Sequence, residues 1–231
     1  MENLIKTITI DWDWVKTRVS TREKLTRIHA VETKEALLDS LGKALEEARS
    51  KAAPKIAIVK KFIAKFETAS FTLEDGPVIS TKELSAYIKG ANHIYAFLAT
   101  IGKDVEEKAT SYMNGGDHLS GYLLDRIGSF AVESMAKNAE DALRRKLQLK
   151  NLSVSMRFSP GYCDWPIEEQ SKIAQIIDFS SVGVTLTQSC VMVPRKSITA
   201  VVAVGPGDLF KDIRSPCAVC NMRVCDYRRK D

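Results

Sequence analysis

The chain has 231 residues, 45% of them hydrophobic and 27% charged, with a net charge of +5. That is length for one large domain or two small ones with a full core, and the charge excess is too mild for a nucleic-acid binder. No run of 18 or more apolar residues occurs, and "MENLIKTITIDWDW" lacks a basic stretch followed by an apolar one, so neither a membrane span nor a signal peptide is expected and the compartment implied is the cytoplasm.

In chain order, "LIKTITIDW" (4–12) alternates as a short strand with Asp11 at its charged end. Thr33 then stands as the cap of a helix whose apolar face is Leu37, Leu38, Leu41, Ala44, Leu45 and Ala48, and Pro54 closes it. Val59, Phe62, Ile63 and Phe66 repeat a helical spacing and predict a second helix or a mixed segment. Arg49, Lys51, Lys55, Lys60, Lys61 and Lys65 run without an acid among them and read as a solvated helix face, with docking of an acidic partner as the sharper reading. "EDGP" (74–77) is a turn, Ser80 or Thr81 caps a short helix ending at Gly90, and 93–102 is a buried strand. A helix stopped at "NGG" (114–116) precedes the longest one, about 118–147, striped with Leu119, Tyr122, Leu123, Ile127, Phe130, Ala131, Met135, Ala142 and Leu143. Asp125, Ser129 and Glu133 share one of its faces, and Gly128 implies that another backbone or a ligand comes close.

The second half is richer in strand. "LSVSMRF" (152–158) is a strand, Pro166 opens a helix running to about Ile177, and two β-rich runs joined at "PRK" (194–196) predict a hairpin. This order predicts an α+β fold with a twisted, mostly antiparallel sheet and flanking helices. The divisions expected are an N-terminal strand and helical part (1–70), an α+β core (71–210) and a Cys-rich tail (211–231).

The nucleotide-binding glycine motifs, HExxH and GxSxG are all absent, and the three histidines (His29, His93, His118) are far apart. What is left is carboxylates and one arginine. Arg157 ends a strand beside the Ser-Pro-Gly turn of "RFSPGYCDWP" (157–166), where a guanidinium can take a carboxylate in a two-pronged pair and glycine opens the main chain to a ligand. An ion pair with Asp164 or Glu168 accounts for Arg157 equally well. Of five cysteines, Cys217, Cys220 and Cys225 crowd the C-terminus in the form C-x2-C-x4-C. In a chain without a secretion signal such spacing points to zinc or an iron–sulfur cluster, with Cys163, Cys190 or an outside group as the fourth ligand.

Four pieces in order, "IDW", "DRIGSFAVE", "RFSPGY" and "LTQSCVMVPRKSI", resemble the S-adenosylmethionine-binding activation (reactivation) domain of cobalamin-dependent methionine synthase, most strongly over 121–205. The resemblance implies that Arg157 holds the ligand's carboxylate and that Ser159, Pro160 and Gly161 offer main-chain contacts to its adenosine part. It places Tyr162 beside the sulfonium, facing the corrin, as the catalytic-side residue, and Glu133 and Asp11 as ligand-binding acids, Asp11 on the ammonium group. A carboxylate, an ammonium and a sulfonium call for this mixture of one arginine and several acids. The chain departs from the pattern at Asn151, where the family has an acid six residues before the arginine, and in the cysteine tail, which the resemblance does not reach.

What the resemblance implies about function is a stand-alone protein serving methionine biosynthesis or a related corrinoid pathway. It would support reductive methylation of a cobalamin cobalt centre carried by a separate corrinoid protein or by methionine synthase modules. A flavodoxin- or ferredoxin-type donor would supply the electron, and the protein would act as a methyltransferase chiefly by positioning. The alternative is a non-catalytic module that binds S-adenosylmethionine or a corrinoid protein and carries a metal in its cysteine tail.

Overall fold

The computed structural model describes residues 8–210 together with Cys217 and Cys220. The start of the expected first strand lies outside these residues. Inside them "IDW" is a helix start: Asp11 caps α1 (Trp12–Arg22) by accepting from Trp14 N at 2.9 Å. A short 3-10 turn leads to α2 (Val31–Lys51), where Ala30 holds the cap position and Thr33 falls inside the first turn.

Residues 55–66 correct the helical expectation. They form a 12-residue strand, β1 (Lys55–Phe66), paired antiparallel to β4 (His93–Thr100) from Lys55↔Thr100 to Phe62↔His93. The helical spacing of four apolar residues coincides with a segment rich in Ile and Val, and β-branched side chains pack better on a pleated surface than on a helix. The basic run is therefore no single helix face: Arg49 and Lys51 end α2, whereas the lysines from 55 onward lie on the strand.

Next come β2 (Ser70–Leu73), β3 (Val78–Ser80), α3 (Lys82–Tyr87) capped by Thr81, β4, α4 (Asp104–Asn114) and the long α5 (His118–Gln148). Then follow β5 (Leu152–Val154), α6 (Gln170–Ile176), β6 (Thr185–Leu186), β7 (Met192–Val193) and β8 (Ser197–Pro206). The hairpin of this last region is β6–β7, and "PRK" is instead the bend into β8, which pairs with β4 and β5. Six strands make one antiparallel sheet in the order β3-β2-β1-β4-β8-β5, twisted as such sheets are. The α+β class is as expected. No helix among the described residues is long and apolar enough to cross a membrane.

The sheet is covered on both faces, which is why every residue of β4 is buried. Tyr95, Phe97 and Ala99 of β4 pack with Ala200, Val202 and Val204 of β8 against α1, α2, α4 and α5. Ile94, Ala96 and Leu98 pack with Val201 and Ala203 against α3, α6 and the 157–184 segment, including Trp165. On α5, Leu123, Ile127, Ala131, Met135 and Leu143 are buried as the stripe implies, whereas Leu119 and Tyr122 at its start are exposed. A Cβ added at Gly128 would meet side chains, Val105 at 3.2 Å and Lys196 at 3.4 Å; the glycine that admits another backbone is Gly121, where an added Cβ would lie 2.9 Å from Ala109 O.

Candidate functional site

The site begins with an irregularity at the sheet edge. Leu152, Ser153 and Val154 pair with Pro206, Gly205 and Val204 in regular register. The next pairing is Phe158↔Val201, so the edge strand carries one extra residue between these points. The buried Ser155 hydroxyl accepts from Ala203 N at 2.8 Å and keeps that backbone group satisfied across the gap. A bulge of one residue reverses side-chain alternation. Val154 points to the α5 face, yet Met156 and Phe158 belong to the opposite core. Arg157 is thereby turned to the α5 side; in regular register it would have pointed into the α6 core.

On that side α5 presents a row of polar groups. Arg157, 9% exposed, forms an ion pair with Glu133 through Nη2, and its Nε lies 3.9 Å from Glu140 Oε2. Its Nη1 is buried with no hydrogen-bond partner. Glu140 is also held by Arg144, which donates to Val154 O and Ser155 O and so ties the bulge to the helix. One turn earlier, the buried Lys196 Nζ lies 2.6 Å from Asp125 Oδ1 and 2.9 Å from Ser129 Oγ. The shared face of Asp125, Ser129 and Glu133 is thus a line of acceptors served by two buried cations.

Neither Asp164 nor Glu168 pairs with Arg157, so the two ion pairs weighed from sequence are replaced by Glu133 and Glu140. Asp164 instead accepts from Thr81 Oγ1 at 2.7 Å and from Lys82 N at 2.6 Å, fastening the turn to the start of α3. In the turn itself Ser159 Oγ donates to Thr199 O at 2.6 Å, and Pro160 is buried. Gly161 is exposed at φ +93°, a left-handed conformation that favours glycine, and its N–H donates to Trp165 O at 2.8 Å. Tyr162 is half-buried, its N–H bonded to Ser159 O at 3.0 Å. Asp11 is brought to α5 by its own N–H, which donates to Ser134 Oγ at 2.9 Å, one residue beyond Glu133, while its carboxylate is engaged as the α1 cap. A hollow of about 310 Å³ beside Ile8, Pro54, Ile56, Met135 and Val182 shares no residue with this constellation.

Of the three C-terminal cysteines, Cys225 lies outside the described residues and Cys217 is half-buried. Cys220 comes to Cys163 and Glu83: one donor atom from each of the three residues lies within 4.8 Å of the other two. Burial, and then the neighbouring Cys220 and Glu83, push the Cys163 thiol well above its ordinary range. Cys163 was one of the fourth ligands weighed from sequence, whereas no spacing in the chain pointed to Glu83.

Residues 46–210 match the family described as "Vitamin B12 dependent methionine synthase, activation domain". The chain belongs to this family. The matched stretch runs from within α2 through β8 and contains Glu133, Arg157 and the whole 157–166 turn, while Asp11 and the C-terminal cysteines fall outside it. Among solved structures the chain is similar to the MetH reactivation domain bound to AdoHcy, with 17% identity, a TM-score of 0.64, and 89% of this chain and 75% of that one covered. No curated protein matches it in sequence. As a family member the chain has its expected fold, with Arg157 at the bulged sheet edge against the acidic row of α5.

Proposed function

We propose that this domain binds S-adenosylmethionine beside Arg157 and supports methyl transfer to the cobalt of a corrinoid carried by a partner protein, returning an oxidised corrinoid to its methylated form. The observation that carries this reading is Arg157 itself. Two of its nitrogens face Glu133 and Glu140, while Nη1 is buried without a partner. A buried guanidinium N–H left unbonded costs free energy that an incoming carboxylate would recover, and charge-assisted pairs of this kind are the strong ones. The residues therefore fit an amino-acid carboxylate. Family membership and the similarity to a reactivation domain that binds AdoHcy support the same ligand class.

The ligand supplies an electrophilic sulfonium methyl group. The chain's own task is to hold it. Arg157, fixed by its two carboxylate partners, gives the ligand's carboxylate one defined orientation; the exposed main chain at Gly161, anchored by the buried Ser159 and Pro160, forms the neighbouring surface for the adenosine part; Tyr162 closes the turn on the side assigned to the corrin. Displacement at a methyl group by a reduced metal needs no proton transfer, so rate enhancement comes from positioning and from exclusion of water. The electron comes from a separate flavodoxin- or ferredoxin-type donor.

Isothermal titration calorimetry with S-adenosylhomocysteine and S-adenosylmethionine tests the binding step. A candidate corrinoid protein, a low-potential reductant and methyl-labelled S-adenosylmethionine then test transfer of label to the corrinoid. One ligand bound per chain and label on the corrinoid are expected. Absence of binding by either ligand overturns the reading, and binding without transfer to any corrinoid reduces the domain to a binding module.

A further inference from the structure

The cluster of Cys163, Cys220 and Glu83 is not used by that chemistry. Its members come from three separate parts of the chain: the first turn of α3, the turn after Arg157 and the C-terminal segment. We propose that Glu83, Cys163 and Cys220 form a site for a thiophilic divalent cation of the zinc type, which ties Cys220 to the turn that carries Tyr162.

Two sulfurs and one carboxylate oxygen lie within 4.8 Å of one another. In a tetrahedral zinc site, with metal–sulfur bonds of about 2.3 Å and metal–oxygen bonds of about 2.1 Å, neighbouring donor atoms stand about 3.5–3.8 Å apart. From a separation of 4.8 Å the donor atoms need to close by about 1.0–1.3 Å at most to reach that geometry, which side-chain rotation supplies. Glu83 Oε2 is shielded from water, and a shielded carboxylate beside two sulfurs gains most from a nearby cation. Cys163 adopts φ +52°, a left-handed conformation that costs a non-glycine residue roughly 1–3 kcal/mol and persists where the surroundings hold it. The thiol-plus-carboxylate donor set suits zinc over magnesium or calcium, which take oxygen donors alone. Binding releases the two thiol protons as the sulfurs become thiolates.

The site does not depend on the ligand reading at Arg157, and its test is separate. The full chain is purified with reductant, stripped with chelator and titrated with zinc against a chromogenic competitor. Cobalt(II) serves as a spectroscopic substitute whose sulfur-to-metal charge-transfer absorption reports thiolate ligation. One zinc per chain is expected. Affinity should fall at least about tenfold in Cys163→Ser and in Cys220→Ser, with a smaller loss in Glu83→Gln and none in Cys190→Ser. Each cysteine variant should also weaken the cobalt charge-transfer band. Cys220→Ser lies on the C-terminal segment and leaves both cores intact, so its loss of binding is not a folding failure; metal-free wild type and variant should unfold at the same temperature. Zinc affinity unchanged in Cys163→Ser overturns the proposal. So does a reduced chain that binds no zinc, or anaerobically purified protein carrying iron and acid-labile sulfide in its place.

Discussion

His93 makes a pH-dependent contribution to stability that can be worked out from its surroundings. It opens β4, paired with Phe62 on one side and Val204 on the other, and is 6% exposed. Its ring lies 5.5 Å from Tyr95 and 5.6 Å from Phe62, and Nε2 is buried without a hydrogen-bond partner. Burial first, and then the charge of Lys60, lower its pKa from 6.5 to about 4. The folded state therefore holds the ring neutral where the unfolded chain protonates it. Stability from this group is complete above the unfolded value near 6.5 and is lost as the pH falls toward about 4. Linkage across that window removes about 2 kcal/mol between pH 7.5 and pH 5, and about 1–2 kcal/mol once partial hydration of the ring edge is allowed for. Urea unfolding of wild type and His93→Phe at about pH 7.5 and about pH 5 isolates the effect, because the other histidines and the carboxylates titrate in both proteins. Phenylalanine fits the aromatic neighbours and removes the titration. Wild type should lose about 1–2 kcal/mol more than the variant over this interval. Equal losses in the two proteins would refute the account of His93 as a neutral buried ring.

Arg157→Lys and Arg157→Ala separate charge from geometry. Removing a charge-assisted hydrogen bond costs about 1.5–3 kcal/mol, so affinity for S-adenosylhomocysteine should fall about 10- to 150-fold in Arg157→Ala. Arg157→Lys should recover little of it, because lysine cannot reach Glu133, Glu140 and a ligand carboxylate together; binding within twofold of wild type in either variant, measured by calorimetry, contradicts the site. Two glycines of α5 make an internal comparison of packing. Gly121→Ala brings Cβ to 2.9 Å from Ala109 O and 3.1 Å from Met113 N, backbone atoms of α4 that must move, and should destabilise by about 1–3 kcal/mol in urea unfolding. Gly128→Ala meets only Val105 and the flexible stem of Lys196, and alanine's better helix propensity should bring its cost to about zero. A larger loss at Gly128 than at Gly121 would show that the helix contacts have been misjudged.

Much of this protein was legible in one dimension. The apolar stripe of α5 from Leu123 onward, the two-sided apolar run of β4 and the capping threonine at 81 each depend on neighbours close in sequence, and each stands where its pattern implies. The motif order placed Arg157 and Glu133 in one family, and both lie at the same face of α5. Where only local spacing was available it misled: 55–66 imitated a helix because four apolar residues matched a helical period, while the sheet offered β4 as a partner. The same holds for the hairpin at "PRK", where β8 found its partners in β4 and β5, both distant in the chain.

The sequence by itself determined which residue types were available: one arginine beside a glycine turn, a row of acids at helical spacing, and cysteines in excess of what a reduced core requires. It also determined the elements whose hydrophobic period is unambiguous. Only the tertiary structure decided which way Arg157 points, because a one-residue bulge opposite Val201–Val204 reverses its face, and that register depends on pairings more than 40 residues away. The same reason applies at Cys220. Its spacing suggested a metal, but its companions Cys163 and Glu83 are brought to it by the packing of α3 and the 157–166 turn, which no spacing along the chain encodes.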